Sequence, residues 1–395
     1  TSILLALCPS FAQSPWVPIT PGGVYRDAVL DPRPADGPEN RVLLADYARS
    51  RVIQVDPATG GSTEALALSM TGSVPRPTAL LTNQGGLTPF VACVGGQHSA
   101  VSGEEMPCFL HVQQYPAPGV AAHTSLVNSK TLLSAVMTGD NSLLLADPFG
   151  DCILRINPLG DLAGNPETLL QGAGRPFRVA VTDNGSEANW VAWVGLSSNA
   201  LTTMNLSDKN GRLTACALPG KPLALVWLAG EVFAVATPSG ILLCRAGGIE
   251  PCAEKALPVT DMAKDGEGLV VLSGGDVVML DGELNETGRV PLEMPARLIR
   301  ACGPVLVAMA PQEGQQRAVV WNRKPQAAAE TAPAESGPEA VEPPEAVASE
   351  NGVEIVEAAA AAPSPEPAPA PGEQVPETAP VAAPPAQEPE APESP

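Results

Sequence analysis

Short apolar segments recur along residues 24–322 at a nearly regular interval, separated by polar or glycine-rich turns. There are seven of them, and six carry an alanine at the same place. Their mean spacing is roughly 44 residues, the length of one four-stranded propeller blade. Because one such unit cannot bury both of its faces alone, the repeat predicts an all-β, seven-bladed β-propeller. The anchor positions of the seven segments are Ala45, Ala92, Ala146, Ala192, Ala236, Leu272 and Ala308.

The sequence around each anchor predicts the four strands of a blade. Several first-strand candidates follow a proline, which has no N–H to donate and so suits the first residue of a strand. Pro77, Pro176, Pro222 and Pro295 hold this position. A polar turn and the apolar second strand come next, and then a third strand with alternating polarity such as residues 52–55. No segment shows a sustained 3.6-residue period, so almost no helix is expected before residue 324.

The seventh blade lacks a fourth strand within its own repeat. After residues 318–321 the sequence changes at once to proline, alanine and glutamate. A spare strand candidate lies at the other end of the chain, at residues 16–19, where the neighbouring prolines suit an edge position. An N-terminal strand that completed the last blade would close the ring and cover an exposed edge. A disordered leader over residues 13–20 is the alternative interpretation.

Composition divides the chain into three parts. Residues 1–12 have an apolar run followed by a proline and small residues, as at the end of a secretory signal peptide. Cleavage after Ala12 and a periplasmic or secreted location are therefore expected, with a buried first strand as the alternative. The propeller is expected over residues 13–324. Residues 325–395 are rich in proline, alanine and glutamate, a composition that cannot offset chain entropy by burial, so a disordered acidic tail is expected.

The formal net charge of the chain is −21. The tail holds fourteen glutamates and no lysine or arginine, so residues 1–324 carry −7. An acidic chain does not suit nucleic acid or an anionic membrane surface as a partner, and no internal apolar run is long enough to span a membrane. Same-sign charge and proline extend the tail as a spacer or tether. One apolar island, with Val353, Ile355 and Val356, is a candidate docking motif, and chance within the tail is the alternative.

Seven cysteines follow Ala12, and an exported protein permits disulfides between them. Cys93 and Cys108 flank a turn-rich insertion between two strands, and Cys244 and Cys252 flank a hairpin loop. Each pair is predicted to form a disulfide across adjacent strands. The remaining three are expected to pack as buried thiols: Cys152, Cys216 and Cys302.

Residues 43–60 and 144–160 share a further pattern of strand, Ala-Asp, turn, strand, Asp/Asn-Pro and glycine. At these residues the chain resembles the NHL-repeat and YncE-like propellers, and more loosely the streptogramin-lyase-like group. In those families the pattern marks the hairpin between the second and third strands of a blade. The resemblance implies the fold rather than an activity. Asp46 and Asp147 are accordingly expected to accept hydrogen bonds from turn amides rather than to take part in catalysis.

The sequence offers little catalytic chemistry. Its three histidines, His98, His111 and His123, lie in the second repeat at irregular spacing, the first and last in loop-like sequence. No metal site, cofactor, nucleophile elbow, P-loop or dinucleotide fingerprint is therefore predicted.

We expect a non-catalytic binding platform, with a protein partner in an envelope assembly. The alternatives are a lyase, lactonase or quinone-dependent dehydrogenase with its site at the central channel, or a ring with a purely structural role. The residues that line the channel discriminate between these classes: three or more convergent carboxylate, Asn or His groups would favour an enzyme. The ligand and the oligomeric state stay open.

Overall fold

The structure is a computed structural model that describes residues 14–32, 40–83, 90–114, 123–127, 129, 132, 134–140, 142–157, 166–182, 190–208, 210–312 and 315–323. Throughout these ranges the regular elements are β-strands, arranged as seven four-stranded antiparallel sheets. The seven-bladed propeller predicted from the repeat is confirmed. In the same ranges, no helix combines the length and the apolar character needed to cross a membrane.

Each blade contains four strands, here called A to D in chain order, and the A strands contact one another around a central channel. A short strand, β1 (Val17–Pro18), precedes the first blade. The strands of blades 1 to 3 are β2 (Tyr25–Leu30), β3 (Val42–Asp46), β4 (Arg51–Val55), β5 (Ser62–Ala67); β6 (Ser73–Asn83), β7 (Phe90–Ser99), β8 (Glu105–Gln114), β9 (His123–Val127); β10 (Ser134–Met137), β11 (Leu143–Asp147), β12 (Cys152–Ile156) and β13 (Glu167–Gln171).

Blades 4 to 7 repeat the arrangement, and the last of them has only three strands of its own. Their strands are β14 (Pro176–Val181), β15 (Trp190–Gly195), β16 (Ala200–Asn205), β17 (Leu213–Ala217); β18 (Ala224–Ala229), β19 (Val232–Thr237), β20 (Gly240–Arg245), β21 (Pro251–Ala256); β22 (Asp261–Asp265), β23 (Gly268–Ser273), β24 (Asp276–Leu280), β25 (Glu286–Pro291); β26 (Leu298–Cys302), β27 (Val305–Gln312) and β28 (Gln315–Asn322).

The anchors of the sequence repeat all lie in B strands. Six of the seven have no exposed surface, and Leu272 is 4% exposed. A B strand has a neighbouring strand on each side and a neighbouring blade on each face, so both of its faces are buried. Among the described residues, seven apolar clusters form the core, one at each interface between adjacent blades. The core is therefore a ring of seven layers rather than one central mass.

The N-terminal strand closes the ring, as predicted. β1 pairs antiparallel with β28, with Val17 opposite Val320, and so supplies the D strand of blade 7. Trp16 is 7% exposed and makes an edge-to-face contact with Trp321 at 5.5 Å between ring centroids. Gly60 in blade 1 lies so close to this strand that a Cβ would come 2.1 Å from the Pro18 carbonyl oxygen. Residues from both ends of the propeller thus share one interface with blade 1.

Blade 2 differs from the others because its first three strands are nearly twice the usual length. This explains why the spacing from Ala92 to the next anchor is the longest in the chain. The extension also corrects two expectations. Pro77 lies inside β6, at a β-bulge, rather than ahead of the strand. His98 lies in β7 and His123 begins β9, although both were expected in loops.

Neither predicted disulfide is present, and for the first pair the sheet geometry opposes it. Cys93 lies opposite His111 and packs in the cluster between blades 1 and 2. Cys108 packs in the cluster between blades 2 and 3, on the other face of the same sheet. Two side chains on opposite faces of a sheet cannot bring their sulfur atoms within bonding distance. The predicted Cys93–Cys108 disulfide is therefore not formed in this structure.

The second pair is separated by a β-bulge. Cys244 lies opposite Pro251, so Cys252 is the extra residue of the bulge, and its thiol donates to the Leu243 carbonyl at 3.2 Å. Cys244 instead approaches Cys216 of blade 4, with 3.5 Å between the sulfur atoms. Cys152, Cys216 and Cys302 are buried free thiols, as expected.

Thiol reactivity tests these assignments. Cys252 is exposed and the other six described cysteines are buried. Burial raises the pKa of the Cys108 and Cys302 thiols to about 12, which removes the reactive thiolate at neutral pH. Cys8 lies outside the described residues, so the test uses the variant Cys8→Ser. In this variant we expect one thiol to react rapidly with an aromatic disulfide reagent in the native protein. All seven should react after denaturation, and Cys252→Ser should abolish the native reaction. Recovery of only three thiols from unfolded, unreduced protein would instead favour the two disulfides.

Candidate binding site at the channel mouth

Side chains on the A strands join neighbouring blades around the channel. Asp27 of β2 accepts a hydrogen bond from the Leu80 amide of the next blade at 2.9 Å. Asp261 of β22 accepts one from the Ile299 amide at 3.0 Å. Blades 3 and 4 have the same connection through the hydroxyl of Ser134, at 3.3 Å. A strands of adjacent blades share no backbone ladder, so these side chains satisfy amides that would otherwise face the channel.

Arg300 of β26 joins the two carboxylates across blade 7. Its Nε lies 2.5 Å from Asp27 and its Nη1 lies 3.0 Å from Asp261. Burial by itself lowers the pKa of the Arg300 guanidinium, but attraction to the two carboxylates outweighs burial and the pKa is raised. The guanidinium is therefore charged at every pH at which the protein is folded. Asp27, Asp261 and Arg300 together bind three blades to one another at the centre of the ring.

The channel has a cavity of about 450 Å³, lined by the A strands of all seven blades. Arg178 of β14 also lies on its wall, and burial lowers the pKa of this guanidinium, against attraction from Asp261. Most other lining residues are alanine, valine, serine or threonine. Of the described residues on this wall, Asp27 and Asp261 are the acidic ones. Both carboxylates already accept a hydrogen bond from a backbone amide and pair with Arg300, so their role is to stabilise the ring.

At one end the channel opens into a second cavity of about 390 Å³, which we call the mouth. Arg26, Arg76, Arg178 and Arg300 all line it. The guanidinium groups of Arg26 and Arg76 lie 4.9 and 5.5 Å from the ring centroid of Tyr47, within cation–π distance. The mouth is thus rich in arginine within a ring whose overall charge is negative.

Local structure holds Arg76 in place. Its Nη1 donates to the carbonyl groups of Tyr47 and Ala48 at 3.0 and 2.7 Å. Gly95 of β7 lies next to Arg76 of β6 and has no Cβ, which allows the two strands to approach closely. A Cβ at this position would lie 2.1 Å from the Arg76 carbonyl oxygen. The extension of blade 2 forms one wall of the mouth and contributes His98 and Glu105 to it.

The face that carries the mouth also carries exposed apolar residues. A B strand runs antiparallel to its A strand, so the turn after it lies on the face where the A strand begins. Val101, Phe149 and Leu196 occupy the B–C turns of blades 2, 3 and 4, and they are 95%, 71% and 38% exposed. These three neighbouring turns and the arginine-lined mouth define what we call the mouth face.

The residues singled out in the sequence have other positions. Asp147 accepts hydrogen bonds from the amides of Phe149 and Gly150 at 3.0 and 2.8 Å, as predicted. Asp46 differs, since its carboxylate pairs with the side chains of Arg49 and Arg51. The proposed signal peptide, the tail and its docking motif lie outside the described residues. They comprise residues 1–12, residues 325–395, and Val353, Ile355 and Val356.

The sequence analysis considered His98 of the mouth only in weighing a metal site, and it missed all four arginines. The available signal was a charged residue within an otherwise apolar A strand, as in Phe177-Arg178-Val179 and Ile299-Arg300-Ala301. The role of such a residue cannot be inferred from its own strand, because its neighbours come from other blades and are known only once the ring is formed. Among the described residues, no group of three or more His, Cys, Asp or Glu side chains is arranged to hold a metal ion.

Known structures share this architecture. Virginiamycin B lyase from Staphylococcus aureus aligns with a TM-score of 0.52 at 12% identity, over 78% of this chain and 98% of the lyase. A streptogramin B lyase aligns with a TM-score of 0.52 at 11% identity, over 77% and 96% of the two chains. Raptor from Chaetomium thermophilum gives 0.56 at 11% identity, over 78% of this chain and 28% of Raptor.

At these identities the similarity shows the fold alone, and it confirms the propeller resemblance at that level. No protein-family model matches the chain, and no curated protein matches it in sequence.

Proposed function

We propose that the protein is an exported, non-catalytic propeller that serves as a binding platform for a protein partner in an envelope assembly. The observation that carries the proposal is that the two carboxylates on the channel wall already have partners within the ring. Asp27 and Asp261 accept backbone amides of the neighbouring blades and pair with Arg300. An enzyme of the channel-centred kind needs several convergent polar groups that are available to a substrate. Here the acidic groups on the channel wall serve the ring.

The mouth face has the properties of a protein-binding surface. Its exposed apolar residues, Val101, Phe149 and Leu196, lie on consecutive blades. Contiguous exposed apolar patches mark interaction sites, and in this proposal the three neighbouring turns form one such patch. Tryptophan, tyrosine and arginine are enriched at the energetic centre of protein interfaces, and the mouth contains Tyr47 within cation–π distance of Arg26 and Arg76. The tail, residues 325–395, acts in this proposal as a spacer of set length and charge.

Capture of partners with variants of each face tests the proposal. Envelope proteins retained by the wild-type chain should be lost by the triple variant Val101→Ser, Phe149→Ser, Leu196→Ser. The reason is that each substitution removes apolar surface from the contact, at roughly 1–2 kcal/mol apiece. The measurement is quantitative mass spectrometry of the retained proteins, with the melting temperature of each variant as a check on folding.

The matched control is Ile249→Ser, because Ile249 is 69% exposed and lies in the C–D turn of blade 5, on the opposite face. That variant should retain the same proteins as wild type. A chain whose residues 325–395 are scrambled at fixed composition should also retain them if the tail is a spacer. Equal retention by the triple variant and wild type would refute the mouth face as the platform.

A further inference from the structure

We propose that the mouth binds carboxylate groups, and that its ligand is an acidic segment presented by the partner. This inference rests on the proposed function and adds the chemical class of what is recognised. The ring as a whole is acidic, so general electrostatic attraction does not favour such a ligand. Recognition must come from the local arrangement of guanidinium groups in the mouth.

Arg26 gives the most direct indication. Its Nε is buried and has no hydrogen-bond partner among the described residues. Its guanidinium lies over Tyr47, and no carboxylate of the described residues forms an ion pair with it. A buried donor that has no acceptor costs free energy, and a turn of the Arg26 side chain toward an acceptor in the mouth would remove this cost. A carboxylate is the natural acceptor, since guanidinium binds it through two parallel hydrogen bonds.

Arg76 extends the same arrangement. Its Nη1 is held by two backbone carbonyls, which orient the guanidinium without neutralising it. Asp27, Asp261, Arg178 and Arg300 at the floor of the mouth have a combined formal charge of zero. Above this floor, the two positive charges of Arg26 and Arg76 meet one negative charge, that of Glu105. The mouth therefore has a local positive charge in a cavity of about 390 Å³, large enough for one or two acidic side chains.

Fluorescence anisotropy of a labelled hexaglutamate peptide, with hexaglutamine as the neutral control, tests the inference on the full chain. We expect hexaglutamate to bind at low ionic strength and hexaglutamine not to bind. Arg26→Gln should weaken binding about tenfold, because it removes one charge-assisted pair. Glu105→Gln should strengthen binding, because it removes the negative charge that opposes the ligand. Added salt should weaken binding to the wild type.

The matched control is Arg155→Gln. Arg155 lies near the end of β12, on the opposite face, where it pairs with Asp140. This variant should bind as wild type does, and Arg26→Lys should recover part of the lost affinity. The measurement is repeated on a chain whose tail glutamates are replaced by glutamine, so that no carboxylate of its own tail competes. Equal binding of the two peptides in both chains, or full affinity in Arg26→Gln, would overturn the inference.

Citrate as competitor separates the two sources of carboxylate. Displacement of hexaglutamate by citrate at comparable affinity supports the carboxylate site but identifies a small polycarboxylate as its ligand. Displacement only at far higher citrate concentration supports an acidic segment. Failure here is distinguishable from failure of the platform: if partner capture depends on the mouth face while hexaglutamate does not bind, only the carboxylate inference is refuted.

Discussion

Deletion of residues 13–20 is expected to lower the free energy of unfolding by roughly 5 kcal/mol. The deletion removes the burial of Trp16 and Ile19, which are 7% and 4% exposed, and each such side chain contributes about 1.5–3 kcal/mol. It also exposes the edge of β28, whose partner is β1. Thermal and denaturant unfolding of the truncated chain measures the effect. We expect the truncated chain to self-associate as well, because the exposed strand can pair with another copy.

The control for this prediction is a deletion of residues 2–9, which precede the closing strand. It should leave the unfolding midpoint unchanged. A second variant, Trp16→Ala, should cost about 3–5 kcal/mol by cavity formation against Trp321 while leaving β1 paired. An unchanged midpoint in the 13–20 deletion would show that the ring is not closed by this strand.

Replacement of Arg300 by methionine is expected to cost about 3 kcal/mol. Its guanidinium is the partner of Asp27 and Asp261, whose side chains are 14% and 6% exposed. Removing one partner of a buried ionic group leaves the remaining charges without compensation, and this penalty exceeds the net contribution of the pairs themselves. Two carboxylates that repel each other would then remain at the centre of the ring. Chemical denaturation at neutral pH measures the loss.

Two further variants keep this prediction specific. Asp27→Asn in the Arg300→Met background should restore part of the stability, since it removes one of the uncompensated charges. Arg289→Met removes ion pairs with Asp276 and Glu286 on the exposed outer strands of blade 6, and should leave the unfolding midpoint unchanged. Equal effects of the Arg300 and Arg289 substitutions would mean that the central cluster does not hold the blades together.

The proposed carboxylate site and this central cluster lie next to each other, and they have opposite roles. In the cluster, Arg300 neutralises carboxylates of its own chain. One layer above, Arg26 and Arg76 line a cavity and form no ion pair with a carboxylate of the described residues. Substitution of Arg26 should therefore change binding without changing stability, and substitution of Arg300 should change stability first.

A structural feature could be predicted from the sequence where it depends on a few neighbouring residues, and not where it depends on contacts between distant ones. The apolar B strands are buried in every blade by neighbours on both faces, so Ala45 and its six counterparts signal the fold within a few residues each. Closure by residues 16–19 was also predictable. The repeat of blade 7 lacks a D strand, and residues 16–19 are a strand candidate that belongs to no other blade. The disulfides were not predictable, since sequence proximity of Cys93 and Cys108 does not show which face of the sheet each occupies.

The sequence by itself therefore determined the blade number, the strand order and the closing strand. Each of these follows from a local apolar pattern repeated along the chain. Only the tertiary structure decided the site. Asp27, Arg178, Asp261 and Arg300 are far apart in sequence and come from the A strands of four different blades. Ring closure brings these residues together around one axis. There Asp27, Asp261 and Arg300 pair with one another and stabilise the ring. Arg26 and Arg76 are not part of this cluster, so in our proposal they are available to bind a ligand.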